Sequence, residues 1–319
     1  MSNVFVERHE RLEGLSSNSY FSPRPNSMIL EFKLKDSIIG TLKAAVQRYI
    51  CNCLEAYHAR EFNNSGSIEV FTDQYEEEIS KLPNITPNGL VLCKREVVPS
   101  YNNILQEVTS TIGYLGLDKS CEKIHCPINV RLKSGQPSEY QLNRPYASNK
   151  WHSDIWAGES SENVVLHIPI FGDFVSNGID LMQNPDDFFP SYVKSLDHFD
   201  EAVDIVSDPD VYNIDLKVGC AYLCDSFLLH RTRWGDAGLR GIISFPLRPK
   251  LKLNSSIYLN PLRESDYLNI EDWMKLGTNN FVVTDKKLEA YKGEDIAKKE
   301  YADKYSIVDE VIYQSDYSG

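Results

Sequence analysis

Hydrophobic positions along the chain change their period twice. The first 35 residues are polar and irregular (SSNSYFSPRPNS), which predicts an arm lying over the body of the protein. Apolar side chains then recur at helical spacing. Leu42, Ala45, Val46, Tyr49, Ile50, Cys53, Leu54 and Tyr57 fall on one face, predicting a long helix with Asp36 as its N-cap. A stripe this continuous is expected to pack on a sheet. A second helix is predicted over residues 102–115, with Ile104, Leu105, Val108, Ile112 and Leu115 on its apolar side.

From about residue 120 the texture becomes short runs of Val, Ile and Leu punctuated by Gly, Pro, Asn and Asp: PINVRL, NVVLHIPIF, GIDLM, VGCAYLCD and RGIISFPLR. Such runs predict an antiparallel β-sandwich or barrel over residues 120–250. Two long connections interrupt it, at 133–150 and 183–213, and loops of that length are usually functional. They are expected to form a lid. Beyond residue 250 the pattern predicts a short helix (EDWMKL) and a charged helix (KKLEAYKGEDIAKKEYADKY) with a solvated face. The whole reads as one catalytic domain: 1–119 arm and packing helices, 120–250 β core, 251–319 extension.

Composition narrows the function. Hydrophobic residues make up 42 % and charged residues 25 %, ordinary values for a globular chain. The net charge of −13 argues against nucleic acid and anionic membranes as partners, because phosphate neutralisation needs clustered Lys and Arg. No run approaches the roughly 18 apolar residues of a membrane span, and MSNVFVERHERLEG is not patterned as a leader, so a cytoplasmic protein is expected. The seven cysteines (51, 53, 93, 121, 126, 220 and 224) are expected to be free, buried thiols of a reducing compartment.

The chemistry is concentrated in WHSDIW, residues 151–156. On a strand, His152 and Asp154 point to the same side, so an imidazole and a carboxylate can converge on one ion. A third ligand is supplied by His230, which ends the apolar run VGCAYLCDSFLLH. Two histidines and one carboxylate on one face of an octahedron leave three positions open, as in non-haem iron(II) oxygenases. Arg240 follows ten residues after His230, and its planar fork suits the distal carboxylate of a dicarboxylic co-substrate. Ser244, on the same strand face, is placed to donate one more hydrogen bond. Asn129 and Arg131 share a face of PINVRLK by alternation, and Arg131 either reaches co-substrate or substrate or is a surface arginine. Tyr146, Ser148 and Lys150 precede the ligand motif at the expected mouth, and Arg231 and Arg233 are candidates for an anionic substrate group. Trp156 and His167 are expected in the core.

This order of motifs resembles the iron(II)/2-oxoglutarate-dependent dioxygenase superfamily, and VGCAYLCDSFLLHRT is similar to the matching strand and turn of its phytanoyl-CoA-dioxygenase-like members. The resemblance covers residues 125–250. It implies a double-stranded β-helix (jelly roll) backed by helices, iron(II) on His152, Asp154 and His230, 2-oxoglutarate anchored on Arg240, and dioxygen as oxidant. Where many relatives carry Ser or Thr two residues after the arginine, this chain has Ile242. Halogenating relatives lack the carboxylate ligand. Asp154 therefore implies hydroxylation of an unactivated C–H bond, on a small polar metabolite such as an amino acid, a sugar or nucleotide sugar, or a natural-product intermediate. Two other readings stand beside it: a redox-neutral isomerase or epimerase of the cupin kind, and a non-catalytic β-sandwich binding module.

Overall fold

The computed structural model describes residues 4–24, 27–82, 84–86, 90–91, 97–125, 128–133, 139–183, 194–202, 206, 210–235, 238–253, 267–276, 281–284 and 305–308. The helices are α1 (Val4–Glu13), α2 (Asp36–His58), α3 (Ile68–Gln74), α4 (Glu76–Ser80), α5 (Val98–Leu115), α6 (Leu117–Ser120), α7 (Glu139–Leu142) and α8 (Ile270–Leu276). The first strands are β1 (Ile29–Lys33), β2 (Asn84–Thr86), β3 (Leu90–Val91), β4 (Cys121–His125), β5 (Asn129–Lys133), β6 (Val164–Phe171) and β7 (Ile179–Met182). They are followed by β8 (Val211–Ile214), β9 (Cys220–Asp225), β10 (His230–Thr232), β11 (Arg240–Pro249), β12 (Tyr267–Asn269), β13 (Phe281–Thr284) and β14 (Tyr305–Val308).

Strands β1-β9-β6-β11-β5-β3-β2 form one antiparallel sheet, to which β4 adds through β11 and β12 through β4. A second sheet has the order β10-β7-β8, and β13 pairs with β14. Side chains of the large sheet alternate between its two faces, with register shifts at Gly241/Ile242 and Arg248/Pro249 of β11. Val130 and Leu132 of β5, Leu166, Ile168 and Ile170 of β6, Leu223 of β9 and Ile243 of β11 enter the hydrophobic core. There they join Leu42, Val46, Tyr49 and Ile50 of α2 and Ile104, Val108 and Ile112 of α5. Burying each such side chain contributes about 1.5–3 kcal/mol. The intervening residues of the same strands face a cavity, so one periodicity produces both the core and the site.

Both predicted long helices form. Lys35, in the extended region, is the N-cap of α2, and Asp36 is its first helical residue, where the carboxylate still favours the N-terminal pole. α5 starts four residues earlier than the spacing predicts, because Pro99 fits the first turn, and it ends at Gly116 (φ 74°). The larger correction is at the start of the chain. The expected irregular arm is instead a helix and an edge strand: α1 packs on β9, and β1 pairs with β9 in register Ile29↔Cys224. The sheet therefore draws strands from outside 120–250, β1, β2 and β3 before it and β12 after it. The EDWMKL helix is α8. The predicted charged helix lies almost wholly outside the described residues, as do 134–138 and 184–193 of the two long connections. Among the described residues, Cys51, Cys121, Cys220 and Cys224 are free and buried and Cys53 is buried; Cys93 and Cys126 are outside the described residues.

Candidate metal and co-substrate site

His152 and His230 are held side by side by the backbone. His152 N donates to His230 O at 2.9 Å and His230 N donates to His152 O at 2.8 Å, an isolated antiparallel bridge that joins the ligand motif to β10. The imidazole centroids lie 4.2 Å apart. Each ring's Nδ1 faces a main-chain carbonyl, Lys150 O at 2.7 Å for His152 and Leu228 O at 2.9 Å for His230. A carbonyl only accepts, so Nδ1 donates in both rings and Nε2 is the atom each can offer to a metal. This carbonyl support is the usual way a protein aims an imidazole at a metal. Burial first, then His230, pushes the His152 pKa well below its ordinary value, which keeps that ring neutral. Phe199 stacks on the His152 ring at 4.6 Å and 16°.

Asp154 completes the group: ligand atoms of His152, Asp154 and His230 all lie within 4.8 Å of one another. The route differs from the sequence expectation. Asp154 is not on a strand. The chain leaves the bridge at His152 and turns over residues 154–158, with Trp156 N donating to Ser153 O at 3.0 Å and Ala157 N to Asp154 O at 3.1 Å. Convergence comes from that turn, whose start is tied to the segment before His230 by Ser153 Oγ donating to Ser226 O at 2.9 Å. That segment is itself clamped from α1. The carboxylate of Asp225 accepts from Arg8 at 2.7 Å and Arg11 at 2.8 Å, with all three side chains buried.

The three residues border a cavity of about 290 Å³ that also receives Asn129, Arg131, Lys133, Arg240 and Ser244. Lys133 is directly opposite Arg240 across β5 and β11, Arg131 is opposite Ile242, and Asn129 is opposite Ser244. Arg240 is 5 % exposed, with its guanidinium 5.2 Å from the Phe174 ring. Burial, then Arg233, lowers its pKa to about 10. Burial, then Arg240, Arg131 and Arg144, pushes Lys133 well below the usual lysine value. Lys133 Nζ donates to Ser148 Oγ at 2.9 Å and Thr232 Oγ1 at 3.1 Å. Among the described residues, no carboxylate pairs with Arg131, Lys133 or Arg240.

Placement of Arg240 depends on one glycine. Gly172 has φ +99°, and a Cβ there would sit 2.5 Å from Arg240 Cα. Ser244 shares the cavity face with Arg240, but four residues of strand, roughly 13 Å, separate their backbones; Lys133 and Thr232 stand at the Arg240 end. Tyr146 and Ser148 line the cavity, whereas Lys150 pairs with Asp200. Arg231 and Arg233 are not available for an anion in the way the sequence suggests, since both bind the carboxylate of Asp180, at 2.9 and 3.1 Å. Trp156 is fully buried in a second hydrophobic cluster, as expected. His167 departs from its core expectation by facing the cavity. Sequence reasoning missed Lys133, Thr232 and Phe199. The alternation that picked out Asn129 and Arg131 reaches Lys133 one step further, and Thr232 is the next same-side position after His230. Phe199 carries no local signal.

No protein-family model matches the chain, and no curated protein does. Solved structures are similar at low identity. The non-haem monooxygenase ThoJ is 13 % identical, over 82 % of this chain and 86 % of its own, with a TM-score of 0.40. SnoK, described as a non-haem alpha-ketoglutarate-dependent carbocyclase from nogalamycin biosynthesis, is 12 % identical over 73 % and 91 %, with a TM-score of 0.37. HygX from Streptomyces hygroscopicus, solved with nickel and 2-oxoglutarate bound, is 9 % identical over 77 % and 94 %, with a TM-score of 0.36. Of these three, SnoK and HygX are described with 2-oxoglutarate and ThoJ as a non-haem monooxygenase, at a distance that leaves the site to stand on its own geometry.

Proposed function

We propose that the chain is an iron(II)- and 2-oxoglutarate-dependent oxygenase on a double-stranded β-helix, hydroxylating an unactivated C–H bond of a small polar metabolite. The observation that carries this reading is the pair of carbonyl-braced imidazoles aimed at Asp154, in the same cavity as a buried arginine that pairs with no carboxylate among the described residues. The donor set fits iron(II): two neutral nitrogens and one carboxylate oxygen from one side, with the remaining positions free for a chelating 2-oxo acid and dioxygen. When bound, the metal supplies the oxidising power by coupling decarboxylation of 2-oxoglutarate to attack on the substrate C–H bond.

The chain's own residues bind and orient. Arg240 and the facing Lys133 hold the distal carboxylate of 2-oxoglutarate through charge-assisted hydrogen bonds, and Thr232 steadies Lys133. Phe199 fixes the plane of His152. Ile179, Leu228 and Phe199 line the cavity and exclude water from the reacting groups. Asn129, Arg131, Ser244 and His167 form the remaining polar wall.

Succinate formation from 2-oxoglutarate, iron(II) and oxygen tests the reading. Arg240→Met is expected to raise the 2-oxoglutarate KM about tenfold or more, with Arg240→Lys recovering part of the loss. Iron-loaded protein that releases no succinate, or an unchanged KM in Arg240→Met, contradicts it.

A further inference from the structure

We propose that the substrate carries an oxyanion, a carboxylate or a phosphate, and that Arg131 binds it. The inference rests on the oxygenase reading and names the substrate class of the same site.

The cavity is lined by three cationic side chains, Arg131, Lys133 and Arg240, and by Asp154, Glu159 and Asp225, of which Asp225 is held by Arg8 and Arg11 while Glu159 accepts from Asn163 and Tyr267. Lys133 and Arg240 are directly opposed across two strands, and like charges in that position repel. One carboxylate between them relieves the repulsion, and the free end of a metal-chelated 2-oxoglutarate offers one carboxylate only. Arg131 is left over. It lies two residues along β5 from Lys133, roughly 7 Å away along the strand, and faces Ile242 rather than another polar group. Its Nε is buried with no hydrogen-bond partner, and no carboxylate among the described residues pairs with it.

The surroundings of Arg131 suit a polar anion. The next row across the sheet is Asn129, Ser244, His167 and Tyr222, four polar side chains on four consecutive strands. Ser244 Oγ is buried there without a partner. Burial first, then His230, Arg131 and Arg240, lowers the His167 pKa to about 3, so it adds hydrogen-bonding capacity without a charge. A buried, unsatisfied guanidinium nitrogen beside an unsatisfied hydroxyl is costly unless a ligand completes both. The cavity, about 290 Å³, is at the small end for ligand sites, so the molecule seated beside 2-oxoglutarate is compact.

The test uses the full chain loaded with iron(II) and 2-oxoglutarate without oxygen, followed by the weak visible charge-transfer band of the chelate and by melting temperature. Acetate and inorganic phosphate are titrated separately at constant ionic strength. One of them is expected to perturb the band and raise the melting temperature saturably; acetate points to a carboxylate substrate, phosphate to a phosphate ester. Arg131→Met is expected to raise the half-effect concentration of that anion about tenfold, and Arg131→Lys much less, while the 2-oxoglutarate needed to form the band moves by less than about twofold. No saturable effect of either anion, or an unchanged effect in Arg131→Met, overturns the proposal. Loss of the band itself in Arg131→Met also overturns it, by assigning Arg131 to the co-substrate. A wild-type protein that forms no band is a different result, which overturns the oxygenase reading and this inference with it.

Discussion

Replacing Asp225 by asparagine removes the one negative charge between two buried guanidinium groups. Arg8 and Arg11 reach it from α1 at 2.7 and 2.8 Å, and the three side chains are at most 2 % exposed. The same carboxylate accepts from Phe227 N at 2.8 Å, which shapes the turn leading to His230. Breaking a buried pair costs about 3–5 kcal/mol because the surviving charge stays buried. Here two like charges survive side by side, so the upper half of that range is expected. For a chain of this size, about 2 °C of melting temperature accompanies each kcal/mol, giving a fall of roughly 8–10 °C. Denaturant unfolding should show the loss in the midpoint with the slope unchanged. Iron(II) affinity should also fall, by about 10–100-fold, because the disturbed turn carries the Leu228 carbonyl that braces His230. The concerted replacement Arg8→Met, Arg11→Met, Asp225→Leu should recover most of the stability, since apolar packing often equals a buried ion cluster. A destabilisation by Asp225→Asn below about 1 kcal/mol, or undiminished iron affinity at full destabilisation, would refute the clamp.

Three further outcomes follow from the geometry. Gly172→Ala forces a Cβ to within 2.5 Å of Arg240 Cα at φ +99°, and is expected to cost about 2–4 kcal/mol while raising the 2-oxoglutarate KM; calorimetry and succinate kinetics check both. Lys133 has its pKa pushed well below the ordinary lysine value, so as pH rises toward that value the ammonium is lost and 2-oxoglutarate should bind more weakly; Lys133→Met should bind weakly at every pH and flatten the profile. His167 has its pKa lowered to about 3 against 6.5 when unfolded, so the unfolded chain binds the extra proton between those values and stability falls as pH drops through that window; His167→Gln should reduce the slope by up to about 1.4 kcal/mol per pH unit, read from urea midpoints at pH 4, 5 and 6.

How far the sequence reaches is set by how local each signal is. The helices α2 and α5 are legible because their burial repeats every 3.6 residues, and the strands β5, β6, β7, β9 and β11 because they are short apolar runs bounded by Gly, Pro, Asn and Asp. The helix α1 is hidden because Arg8 and Arg11 occupy its buried face beside Phe5 and Leu12, and a pattern that counts arginine as exposed sees no stripe. Their partner is Asp225, more than 200 residues away, which no local window contains. The proposed metal ligands are legible as residue types and order. The turn that brings Asp154 beside His152 is not, because it is fixed by hydrogen bonds within 153–158 and by Ser226. Phe199 reaches His152 from the long second connection, where composition alone says nothing about direction.

The most direct test of the metal centre is anomalous diffraction at the iron edge from crystals soaked in iron(II) under nitrogen. One peak per chain is expected, within bonding distance of His152 Nε2, His230 Nε2 and an Asp154 carboxylate oxygen, on the same cavity that Arg240 enters. A peak elsewhere, or iron-soaked crystals with no peak between these three side chains, would contradict the account.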